Sequence, residues 1–183
     1  MTAQAATLRP SGAARARRLP QGWRKTALSL HVVTSVGWLG VHGSMLALAV
    51  AAAADPGVRT EALGAAGLLS GMLVLPLSLT AAGTGLLLAL GTPWGLFRHT
   101  WVAAKLVLTL ILVAGSNLSI GPMVRELAAD PGAAGGAGTT QAIGALSVSF
   151  TVLLATVLLS TVKPFGRLRV PGRGRAVPRA GHG

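Results

Sequence analysis

The sequence predicts an all-α fold, an integral membrane bundle of four transmembrane helices. Three observations predict it. Of 183 residues, 51% are hydrophobic and only 11% charged, against about 25% charged in an ordinary soluble domain. Four segments are apolar for the roughly 20 residues that a helix needs to cross a bilayer core about 30 Å thick. Fourteen of the sixteen Lys and Arg fall on one side of the loops that join those segments. The apolar runs do not alternate with period two, as barrel strands would, and backbone in lipid must satisfy its own hydrogen bonds, as helices do.

Residues 1–25 form a basic tail, with Arg9, Arg15, Arg17, Arg18, Arg24 and Lys25. Residues 26–163 form the transmembrane domain. Its first helix is expected over about 26–54 and its second over about 62–90, both without a formal charge. A cleaved signal is a poorer reading of the first, because a signal's apolar region runs only about 7–15 residues. The third helix is expected over about 101–120, with Lys105 near its start, and the fourth over about 141–162. Asp130 to Thr140 is rich in Gly and reads as a flexible external loop. Residues 164–183 form a second basic tail, with Arg167, Arg169, Arg173, Arg175 and Arg179 following Lys163. Both tails are poor in large apolar residues and are expected to be disordered.

The charges orient the chain. Both tails, with Arg98 and Lys105, carry fourteen cations; the opposite loops hold only Arg59 and Arg125, and all four acids. The positive-inside rule places both termini in the cytoplasm of a bacterial-type cell membrane. Tails of Arg with Gly, Pro and Ala invite a nucleic-acid reading. They lack interleaved aromatics for base stacking, and attraction to anionic headgroups accounts for them. The expected partners are therefore the lipid bilayer and a second copy or another membrane protein, with no nucleic acid.

Trp23, Trp94 and Trp101, with Lys105, fall at the predicted cytoplasmic interface and read as anchors. Gly67 with Gly71, and Gly43 with Ala47 and Ala51, form small-residue rows that let helices approach closely. Pro76 lies mid-helix and cannot donate to the Met72 carbonyl, so a kink is expected there, with Ser78 and Thr80 near enough to offset the lost bond.

The histidines are the most informative residues. His31 and His42 are eleven apart, close to three turns, and so point the same way about 16 Å apart along the axis. One metal ion cannot bind both. His99, just before the third helix, lies at the same depth as His31. One reading makes His31 and His99 ligands to haem or copper at the inner leaflet. The other makes His31 or His42 a polar link to a neighbouring helix, through Asn117, a serine or a carbonyl. Asn117, Ser147 and Ser149 lie near the depth of His42.

Several absences bear on function. The chain has no Cys, which excludes disulfides, thiolate metal sites and Cys nucleophiles. No Asp or Glu falls inside a predicted helix, so no carboxylate proton relay is expected. No HExxH, phosphate-loop or GxSxG pattern occurs, and no acid is placed to complete a Ser–His triad. Catalysis by this chain alone is not expected. The helix ends hint at duplication: Trp23-Arg24-Lys25-Thr26 parallels Phe97-Arg98-His99-Thr100, and Thr92-Pro93-Trp94-Gly95 parallels Lys163-Pro164-Phe165-Gly166. Convergence on interfacial residue types explains most of that match.

The segment from Leu30 to Gly40, with His31 and Trp38, resembles the opening helix of small, uncharacterised bacterial four-helix membrane proteins. So do the segment from Gly91 to Trp101 followed by Lys105, and the exit from Ser160 to Gly166. The resemblance covers about residues 26–166 and implies a four-helix bundle with no established activity. A remoter similarity, carried by His31, Trp38 and Gly40, runs to copper-resistance-D-like and cytochrome-b561-like membrane proteins. It implies ligand positions at His31 and His99. The expected function is thus a non-enzymatic membrane subunit or partner. A haem or copper protein is the alternative, and a small oligomeric transporter shaped by Pro76 is the second.

Overall fold

A computed structural model describes residues 20–91, 100–132 and 135–161 of the chain. The tails, Trp94 and His99 lie outside them, as does the side chain of Trp101, whose backbone falls in a first helical turn. The described residues are all helical apart from short turns. They form four helices, each with a stretch long and apolar enough to cross a membrane.

α1 runs Gln21–Ala54. Pro20 precedes it and lends its carbonyl to the Arg24 amide, 3.1 Å away. The helix stops where Pro56 follows Asp55, because the proline ring disfavours helical backbone in the residue before it. Asp55 then closes the turn by accepting the Gly57 N–H at 2.7 Å. α2 runs Arg59–Gly91. Its Arg59 donates from Nε to the Ala52 carbonyl, 3.1 Å away, which puts a cation on the negative end of the α1 dipole.

α2 is interrupted by a π-helical turn, Ser70–Val74, shortly before Pro76. Where the sequence predicts a kink, the helix holds this wider turn, which redirects the carbonyls that Pro76 cannot serve. α3 comprises Thr100–Gly115, a second π turn at Ser116–Ile120, and Gly121–Ala129. Gly121-Pro122 reads as a stop in the sequence, yet the π turn absorbs the proline and the helix continues nine residues past Ile120. α4 runs Gly135–Thr161. The expected loop therefore shrinks, because the glycines from Gly135 onward are helical. Thr140 Oγ there bonds the Gly136 carbonyl at 2.7 Å.

α1 is the spine. It packs along both halves of α2 and along α4, while α3 packs chiefly on α2. α3 and α4 touch least. Glycines set the close approaches. A Cβ on Gly67 would lie 2.6 Å from the Ala128 Cβ on α3, and one on Gly43 would lie 3.0 Å from the Phe150 ring on α4. Both small-residue rows thus serve packing within the bundle. The centre holds Val41, Met45, Val74, Ile120, Val124 and Leu146, with every helix contributing. Leu and Val side chains such as Leu68, Met72, Leu110 and Val148 are exposed outward, the surface such helices offer to lipid.

Candidate functional site

His42 sits at the centre of the bundle with no exposed surface. Its Nδ1 faces the Trp38 carbonyl at 3.2 Å. Its Nε2 faces Ser116 Oγ on α3 at 3.1 Å. A carbonyl only accepts, so Nδ1 carries the proton. Nε2 then accepts from the Ser116 hydroxyl, and both ring nitrogens are engaged. Trp38 stands edge-on to the imidazole, with centroids 5.8 Å apart and planes at 79°. This hydrogen bond joins α1 to α3 across the diagonal of the bundle, where the helices otherwise share little contact.

His31 lies half-buried one leaflet away on the same face of α1. Its Nδ1 faces the Ala81 carbonyl at 2.9 Å and Thr84 Oγ at 3.2 Å. Thr84 donates its own proton to the Thr80 carbonyl at 2.6 Å, so it accepts from His31. Nδ1 is again the protonated nitrogen, and Nε2 keeps its lone pair. The ring lies over Gly85, where a Cβ would come within 3.0 Å of Cε1.

Asn117 does not meet His42. Its amide donates to Ser78 Oγ at 3.0 Å and to the Val113 carbonyl at 2.8 Å. Ser70 Oγ donates to the Gly121 carbonyl at 3.2 Å. The two π turns therefore face each other in opposite directions: Ser70 opens one and reaches α3, Asn117 lies in the other and reaches α2. Ser147 does not join His42 either; it lines a shallow outward groove with Val148, Thr151 and Val152. Pro76 is exposed on the outer face of α2. Trp23 stands 70% exposed in the first turn of α1, and Lys105 is half-buried in α3.

The partner that sequence reasoning missed is Ser116. A signal for it exists: Leu112, Ser116 and Ile120 recur at four-residue steps, and all three are buried. A hydroxyl in an inward apolar stripe calls for a partner. Two buried polar atoms have none among the described residues, Trp38 Nε1 and Ser149 Oγ. No cluster of three or more His, Asp or Glu occurs among the described residues. No family model, curated protein or solved structure matches the chain.

Proposed function

We propose that this is a non-enzymatic multi-pass membrane protein that acts as a subunit or partner of another membrane component or of its own copies. The observation supporting this is the closure of His42. Its two ring nitrogens face Trp38 and Ser116, so the most deeply buried ionisable group holds helices together and presents no free atom to a reactant. The charge asymmetry supports an orientation with both tails in the cytoplasm.

Purification of the full chain from its native membrane in mild detergent tests the role. A colourless, metal-free protein that retains a stoichiometric membrane partner or a defined oligomer supports it. Turnover of a substrate by the isolated chain would overturn it. Orientation is tested by placing single cysteines in this Cys-free chain. A membrane-impermeant maleimide on intact cells should label Gly132→Cys and spare Ala180→Cys.

A second reading has its own observation. His31 presents an unprotonated Nε2, with Nδ1 anchored on a carbonyl, the arrangement that orients a histidine ligand. This supports haem or copper at His31, with His99 as the second ligand. A Soret band, or near-stoichiometric copper, that disappears in both His31→Ala and His99→Ala would establish it. A blank spectrum without metal would remove it.

A further inference from the structure

The sparse contact between α3 and α4 leaves a cleft of about 390 Å³, within the roughly 300–1,000 Å³ range of small-molecule sites. Gly115, Ser116 and Ser119 line one wall, and Gly144, Ala145 and Ser149 the other. A Cβ on Gly115 or Gly144 would meet nothing within 4 Å, so the space is open where these glycines stand. Ser116 and Ser149 lie near the middle of their helices, at the depth of the hydrocarbon core.

The hydroxyls define what fits. Ser149 is 4% exposed, and its Oγ has no partner; in an apolar wall that is an unmet hydrogen-bonding demand. Ser116 has given its proton to His42 Nε2, so only its lone pairs remain. The cleft thus offers one donor, Ser149, beside one acceptor, Ser116.

Length selects the occupant. The walls cover residues 111–120 and 144–149, about 14 Å and 8 Å of helix. A transmembrane helix of a second copy needs about 30 Å. Phospholipid ester carbonyls lie at the interface, too shallow to reach these serines. We propose that the α3–α4 cleft binds a lipid-soluble alcohol or phenol, whose hydroxyl accepts from Ser149 and donates to Ser116.

The test uses the full chain in lipid nanodiscs and a para-octylphenol bearing a diazirine on its alkyl chain. Photolabelling should saturate and map to 111–120 and 144–149. Unlabelled para-octylphenol should compete at least about fivefold better than octylbenzene, the difference one hydrogen bond makes. Gly144→Leu, which fills open space, should abolish labelling. Ser149→Ala should weaken phenol competition about fivefold and leave octylbenzene unchanged; it carries the test alone if Gly144→Leu does not fold. Equal competition by octylbenzene, or labelling spread over all four helices, would overturn the proposal. So would labelling that survives Gly144→Leu while that variant changes the oligomeric state, because the cleft would then seat a second copy.

Discussion

The first three helices and the fourth are held by different physics. α1, α2 and α3 are tied by a run of polar links: Arg59 to Ala52, Ser70 to Gly121, Asn117 to Ser78, His31 to Ala81, and His42 to Ser116. None of these bonds reaches α4. That helix enters through Leu146 and Ala142, and through Phe150 laid on Gly43. Ser149 in its middle keeps an unpartnered hydroxyl. In lipid, where apolar burial no longer drives association, helices are joined by close packing and by hydrogen bonds. This bundle uses both means and assigns them to different helices. The polar links specify register, because each has one geometry. The apolar seam of α4 fills space.

The largest expected effect comes from the apolar side. Leu146 is fully buried at the junction of all four helices. Leu146→Ala should cost about 2–3 kcal/mol from the cavity it leaves, and α4 should loosen first. Unfolding in mixed detergent, with a reporter on α4 and another on α2, checks both points; equal loosening of the two would erase the contrast.

Ser116→Ala should cost about 1–2 kcal/mol, because it leaves His42 Nε2 buried without a donor. A double-mutant cycle with His42→Ala should return a coupling of about 0.6–1.7 kcal/mol, the range for hydrogen bonds between membrane helices. A coupling near zero would show that the diagonal link is incidental.

Asn117→Ala should cost less, about 0.6 kcal/mol, since Ser78 keeps its bond to the Leu75 carbonyl. Ser149→Ala should sit lowest, neutral or slightly stabilising in the empty bundle, because removing an unpartnered buried hydroxyl relieves its desolvation. A thermal scan in detergent that found Ser149→Ala as damaging as Ser116→Ala would mean that α4 has a polar link of its own.

The number of helices and their order were legible in the sequence, because hydropathy over 20 residues is a coarse signal that no local detail disturbs. The first helix ends at Ala54 as expected, where Asp55-Pro56 stops it. The third helix was read too short, for a local reason. Gly121-Pro122 terminates an α-helix, but it does not terminate one that has just taken an extra residue into a π turn. No composition rule marks that turn in advance. The site was legible in part. His42 and Asn117 were recognised as intramembrane polar residues at similar depth, yet they take different partners. Depth is readable from position along a helix. Azimuth is not readable across a π turn, which offsets every later residue. Which serine His42 would meet was therefore beyond periodicity alone. His31 was easier, since its partner is a backbone carbonyl and every helix supplies those.

The facing π turns make this bundle sensitive to residue count as well as to residue identity. Each α-helical residue advances about 100° around the axis. Removing one residue from 71–73 would let α2 run as unbroken α-helix while turning everything after it by that angle. Ser78, Ala81 and Thr84 would swing away from Asn117 and His31, although none of them had been changed. The same deletion inside 117–119 would instead turn Val124 and Leu127 out of the far end. Two helices crossing in opposite directions thus each hold one spare residue, and each spare residue sets the alignment of a different end of the molecule. Such a chain tolerates many exchanges of one apolar side chain for another, but its length between Ser70 and Pro76, and between Ser116 and Pro122, is fixed to the single residue.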